Sequence, residues 1–120
     1  MNAEILIKRT KLFAHRCVKL AVSLPNSQLG SHIRGQLIRS GTSVAANYRA
    51  ACKAQSKASF VAKISIVIEE ADESLFWLEF VGDEKIVKME LITDLMREAN
   101  ELLAITVSSI NTARKSGGRQ

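Results

Sequence analysis

Residues 36–48 read Gln36-Leu37-Ile38-Arg39-Ser40-Gly41-Thr42-Ser43-Val44-Ala45-Ala46-Asn47-Tyr48. The apolar positions in this stretch do not alternate, so it is no half-buried strand. Leu37, Val44 and Tyr48 are seven and four residues apart, and Ile33 and Ala51 extend the same spacing in both directions. That is one face of a helix. Its middle is small: Ser40, Gly41, Thr42 and Ser43. Small residues there let another helix come close, at a propensity cost of about 1 kcal/mol for the Gly. Pro25-Asn26-Ser27 lies upstream, and Asn26 or Ser27 can cap this helix. The stretch therefore predicts a helix over about residues 28–53.

The same periodicity continues on both sides. Leu6, Phe13, Cys17, Leu20 and Leu24 lie seven, four, three and four residues apart, predicting a helix over about 2–23. Phe60, Ile64, Val67, Ala71, Ser74, Leu78 and Val81 predict a third over about 57–81, with Ser56 as N-cap. Gly82-Asp83 reads as a break with Asp83 capping a fourth helix over about 84–115, where Met89, Ile92, Met96, Ala99, Leu103, Thr106, Ile110 and Ala113 face inward. Residues 116–120 read as a frayed tail. Short loops between long amphipathic helices force antiparallel neighbours. The expected fold is all-α, an antiparallel up-down-up-down four-helix bundle in a single domain spanning 1–120.

Composition agrees. The chain is 47% hydrophobic and holds one Pro, so a packed core is expected and a strand-and-turn fold is not. Charge is divided along it. Residues 1–63 hold eleven Lys/Arg against Glu4 alone, and residues 64–101 hold eleven acids against three bases, within a net charge of +5. A chain split this way can hold a polyanion on one surface and dock a copy of itself through the other. Cys17 and Cys52 form no disulfide framework or Cys-x-x-Cys motif and read as free, buried thiols of a reducing compartment. The N-terminal stretch Met1-Asn2-Ala3-Glu4-Ile5 lacks the basic start of a signal peptide, and no run approaches the ~20 apolar residues of a membrane span. The expected location is the cytoplasm.

Register makes a further expectation. If the turn between the second and third helices is centred between Ala54 and Gln55, residues whose numbers sum to 109 lie level. Arg39 then meets Glu70 and Gln36 meets Glu73, a polar network that would pin the hairpin. The plainer reading is a set of solvated charges that meet weakly. On the third helix, Phe76 and Phe80 point almost directly away from Leu78 at 100° per residue. Two Phe residues on a far face suggest a subunit interface. Trp77 lies on one flank, able to close the core or to join that contact.

Chemistry of the catalytic kind is missing from the pattern. Gly30, Gly35 and Gly41 make no phosphate loop. His15 and His32 have no metal-ligand spacing to Cys or carboxylate, and no His lies three residues after any Glu as a di-iron bundle requires. Ser40, Ser43 and Ser56 lack a His base. No catalytic, metal or cofactor site is predicted. Lys8, Lys11, His15 and Lys19 instead form a stripe on the first helix, with Arg9 and Arg16 beside it and Arg34, Arg39, Arg49 and Lys53 following on the second. Arg9, Lys11, Arg16, Lys19, Arg34 and Arg49 are the candidates for phosphate contact. With no aromatics for base stacking among them, such binding is backbone-led.

The stretch 36–48, followed by Ser56, Phe60, Lys63, Glu70-Ala71, Glu73-Ser74 and Phe76-Trp77-Leu78 and preceded by Phe13 and Leu24-Pro25, closely resembles the bacterial four helix bundle protein family. The resemblance covers roughly residues 10–105. That family includes proteins encoded in intervening sequences of large-subunit (23S) ribosomal RNA genes and the accessory variability protein of diversity-generating retroelements. It implies a cytosolic bundle assembled as a ring-like homopentamer, with no enzymatic activity. For a retroelement-linked member it also implies binding of nucleic acid and of a reverse transcriptase. One departure is Ala50, where the family often has an acid. The expected function is thus a non-enzymatic, oligomeric helical protein that binds RNA or DNA backbone through the first two helices. The alternative is a protein-interaction scaffold whose charges only organise its own homo-oligomer.

Overall fold

Three short polar side chains set the starts of three helices. In the computed structural model, which describes residues 2–118, Asn2 Oδ1 accepts the Ile5 amide at 2.8 Å, Ser27 Oγ the Gly30 amide at 3.0 Å and Ser56 Oγ the Ser59 amide at 3.1 Å. Each satisfies an amide that a helix N-terminus leaves without an intrahelical partner. The helices are α1 (Ala3–Val22), α2 (Gln28–Cys52) and α3 (Lys57–Asp83), all within two residues of expectation. A single 3-10 turn at Met89–Leu91 precedes α4 (Thr93–Gly118).

The fourth start is a correction. Asp83 is the last residue of α3, not a cap for α4, which begins only at Thr93. Gly82 does not break α3. The chain turns at Lys85, whose φ of 56° is left-handed. The Lys85 amide donates to the Gly82 carbonyl and the Ile86 amide to the Val81 carbonyl, both at 3.0 Å, which is a Schellman closure with Lys where Gly is usual. Gly82 serves packing instead: a Cβ there would lie 2.6 Å from Met89 Sδ and 2.9 Å from Ile92 Cδ1 as the chain folds back. At the other end, residues 116–118, expected to fray, are helical, and residues 119 and 120 lie outside the described range.

Among the described residues no strand forms, and the molecule is an all-α four-helix bundle. Consecutive helices pack against one another and α1 closes on α4 more lightly, giving a rod 53 Å long and 21 Å across. Ile33, Leu37, Val44, Tyr48 and Ala51 of α2 are all buried, as are Ile64, Val67, Ala71, Ser74, Leu78 and Val81 of α3. Leu20 and Phe60 are only half-buried. Thr10 joins the core, its hydroxyl donating to the Leu6 carbonyl at 2.8 Å. Ile92, just before α4, is buried, and in α4 the seam runs through Leu95, Ala99, Leu102, Thr106 and Ile110, with Met96 and Leu103 at its edge; Met89 in the 3-10 turn is exposed. Two adjacent apolar rows, 95/102 and 96/103, serve a helical period equally well, and packing against the other helices chooses the first.

Close approach of α1 and α2 is the tightest feature of the core. A Cβ at Gly41 would lie 2.6 Å from Cys17 Cβ and 3.0 Å from its Sγ. Cys17 is fully buried, and burial pushes its thiol up to about 12 against a lowering by nearby Arg16. Cys52, expected to be buried, is exposed: it is the last residue of α2 and lines the open groove at the end of the bundle beside Tyr48. Gly41→Ala should therefore lower stability by about 1–2 kcal/mol in chemical denaturation, overpacking outweighing the gain in helix propensity. Lys85→Gly should raise it by about 0.5–1 kcal/mol by relieving the left-handed conformation. A thiol reagent should label Cys52 rapidly in the native protein and Cys17 only at the rate of unfolding.

Candidate nucleic-acid interface

Six cations were expected to meet phosphate, and the fold uses two of them for itself. Arg9 reaches across to α4, donating from Nε to Glu98 Oε2 at 3.0 Å and from Nη2 to Glu98 Oε1 at 2.6 Å and Glu101 Oε1 at 3.0 Å. This two-pronged grip ties α1 to α4, a pair that packs more lightly than consecutive helices do. Arg34 folds back on the end of α1, donating from Nη2 to the Leu24 carbonyl at 2.7 Å and Asn26 Oδ1 at 3.2 Å and from Nε to the Ala21 carbonyl at 3.3 Å. A cation at a helix C-terminus satisfies carbonyls and opposes the negative end of the helix dipole.

Lys11, Arg16, Lys19 and Arg49 make no ion pair among the described residues. Lys11 and Lys19 lie on the outer face of α1 with Lys8, whereas Arg16 is half-buried. Lys11 and Arg49 stand with His15 on the rim of a groove of about 450 Å³ between α1 and α2. Its floor is apolar: Ile7, Ala14 and Val18 from α1, with Ala45 and Ala46 from α2. The signal for this groove lies in Thr42, Ala45, Ala46 and Arg49, which step three, one and three along one face of α2. The small residues around Gly41 suggest close helix packing but say nothing of a groove beside it. A second, wider groove of about 1020 Å³ opens at the end of the bundle where Tyr48, Cys52, Phe60, Ile105 and Thr112 meet. Among the described residues no group of three or more His, Cys, Asp or Glu could hold a metal. What the α1–α2 face can do is non-covalent: hold an anion, an apolar side chain, or both.

The other expected site is a polar network between α2 and α3. Arg39 donates from Nη1 to Glu70 Oε2 at 2.7 Å and from Nη2 to Glu73 and, at 3.4 Å, to Gln36 Oε1. Gln36 joins through Arg39 rather than by touching Glu73. Trp77 Nε1 donates to Glu73 Oε2 at 3.1 Å. Behind them the buried Ser40 and Ser74 hydroxyls lie 3.0 Å apart. Burial alone would raise the Glu73 carboxyl, but hydrogen bonds from Arg39 and Trp77 outweigh it and hold the group below the ordinary carboxylate range.

Phe76 is 53% exposed on α3, whereas Phe80 is half-buried against the core. Trp77 lies between them and α2, edge-on to Phe76 at 5.0 Å, to Phe80 at 6.0 Å and to His32 at 5.6 Å. Phe76 is therefore the apolar tip of an aromatic cluster rooted in the bundle.

A carboxylate held low in the folded state contributes stability above its unfolded pKa and loses it as pH falls through the folded value. Arg39→Met should lower stability at neutral pH by about 0.5–1 kcal/mol, since the pairs are part-exposed. It should also flatten the loss of stability that the native protein shows as pH falls below about 4. Equal acid sensitivity of variant and native protein in denaturant titrations would show that the network carries no such linkage.

Comparison with known proteins fits this architecture. No helix among the described residues is long and apolar enough to cross a membrane. No curated protein matches the chain. A solved structure similar to it is a protein with unknown function from the S23 ribosomal protein family of Bacteroides thetaiotaomicron VPI-5482. The two are 32% identical over 92% of this chain and 99% of that one, with a TM-score of 0.85. The family described as 23S rRNA-intervening sequence protein matches residues 4–108, nearly the whole bundle, and the chain belongs to that family.

Proposed function

We propose that this protein is a non-enzymatic, cytoplasmic helical scaffold that self-associates and carries RNA or DNA backbone on the outer face of α1 and α2. The observation that supports it most is the division of labour among the cations. Arg9, Arg34 and Arg39 are held by acceptors of the chain itself, yet Lys8, Lys11, Lys19 and Arg49 remain exposed along the α1–α2 face without such partners among the described residues. A row of exposed cations without carboxylate partners suits a polyanion, whose condensed counterions are released on contact. The face has no exposed Phe, Tyr or Trp on which a base could stack, so contacts to phosphate would carry the affinity and sequence would count little. The link of the family's name to 23S rRNA is in keeping with an RNA partner. The second reading, a scaffold whose charges serve only its own assembly, draws support from the exposed acids of α3.

Fluorescence anisotropy with structured RNA, single strands and duplex DNA at about 50 mM salt separates the two. Four phosphate contacts should make affinity fall on the order of a hundredfold between about 50 and about 200 mM salt. Lys19→Glu and Arg49→Glu should each weaken binding and flatten that salt slope, whereas Arg34→Gln should leave the slope unchanged. No binding to any of the three at the lower salt would refute the nucleic-acid reading.

A further inference from the structure

The wider groove lies at the end of the rod where α1 and α3 begin and α2 and α4 finish. All four helices line it, and their antiparallel courses grade its polarity. Cys52, Lys57, Thr112 and Ser116 come from the outermost turns, at its mouth, and all four are exposed. Leu6, Tyr48, Phe60 and Ile105 stand a turn or more further in and are buried or half-buried. An apolar interior below a polar mouth suits a molecule with a hydrocarbon tail and a polar head. The volume of about 1020 Å³ stands at the upper end of what small-molecule sites occupy.

Lys57 decides the sign of that head. It is the one charged side chain among the described residues that line the groove. Among the described residues it makes no ion pair. A cationic head would be repelled there, and a neutral one would leave the ammonium unneutralised. A polyanion draws on a row of cations, and here there is a single lysine. The α4 wall adds donors. Among the described residues the Ser108 and Thr112 hydroxyls make no hydrogen bond, whereas those of Thr10, Thr42, Thr93 and Thr106 each donate to a carbonyl four residues earlier. Further in, Tyr48 is 5% exposed and its phenol neighbours the Cys52 thiol, so that thiol marks the passage from mouth to interior.

We propose that this groove binds a straight-chain fatty carboxylate, its tail inward on Leu6, Tyr48, Phe60 and Ile105 and its head at the mouth against Lys57 and the α4 hydroxyls. Burial of the alkyl chain drives entry. The ammonium and the hydroxyls compensate the carboxylate for the water it gives up. The site shares no lining residue with the α1–α2 groove, so it stands or falls separately from the polyanion reading.

Sodium dodecanoate, kept below its micelle-forming concentration, tests this on the full chain. Titration calorimetry should show saturable binding of a single molecule per chain. Saturating dodecanoate should slow the labelling of Cys52 by a thiol reagent about tenfold or more, since the bound chain covers the thiol. Dodecyltrimethylammonium, with the same tail and the opposite head, should do neither. Lys57→Gln should weaken dodecanoate binding about tenfold. Ser108→Phe, at an exposed position on the α4 wall, should fill the groove and abolish both signals. Circular dichroism confirms that each variant, and the native protein in dodecanoate, keeps its helices. If Ser108→Phe does not fold, Ala104→Phe on the same wall replaces it. Absence of binding and protection with dodecanoate overturns the proposal, as does loss of the native spectrum in place of saturable binding. So does equal protection by the ammonium amphiphile, an unchanged affinity in Lys57→Gln, or a folded groove-filling variant that binds as the native protein does.

Discussion

Everything in this bundle depends on how closely α1 can lie on α2. At Gly41 the two backbones approach until a methyl group would meet Cys17 Cβ at 2.6 Å. Interiors packed to crystal-like density do not absorb such an overlap without moving a helix. The approach has two consequences. It brings Phe13, Cys17, Leu37 and Val44 into a single core. It also sets Ala14 beside Ala45 and Ala46, and small side chains on both walls leave the shallow outer groove above them. Core and candidate binding surface are thus two faces of one helix pair.

Electrostatics divides the cations by the acceptors within their reach rather than by sequence position. Arg9 and Arg34 reach neighbouring acids or helix-end carbonyls and become parts of the frame. Arg39 does the same across α2 and α3, and in doing so fixes Glu73 where the Trp77 indole can donate to it. Arginine suits these places, since its planar fork can satisfy two acceptors at once. The exposed lysines, flexible and strongly hydrated, stay outside. A surface left basic in this way reflects which side chains could find acceptors inside.

Most of the fold was legible because its signals are local. Asn2, Ser27 and Ser56 mark helix starts by a bond that spans three residues. The α2–α3 register was legible too, because a short loop sets which residues lie level, and Arg39 does meet Glu70. Yet Ser40 meets Ser74 and Arg39 also reaches Glu73, so the pairs drift past the level expected from the loop alone. Side chains lean towards the N-terminus of their own helix, which in an antiparallel pair shifts every partner the same way. The start of α4 was misread because Gly82 looks like a stop signal. Its true use, making room for Met89 and Ile92, involves atoms seven and ten residues away after a turn.

The sequence by itself determined the number of helices, three of their four starts, the seams of α2 and α3 and the division of charge. These depend on spacing along one chain and on caps that reach no further than a helical turn. Only the tertiary structure decided which row of α4 faces inward, which arginines are spent, that Phe80 is half-sheltered while Phe76 is not, and that a groove with a cationic rim opens between α1 and α2. Each of those is a competition between side chains brought within a few ångströms by different helices, and one-dimensional spacing does not contain its outcome.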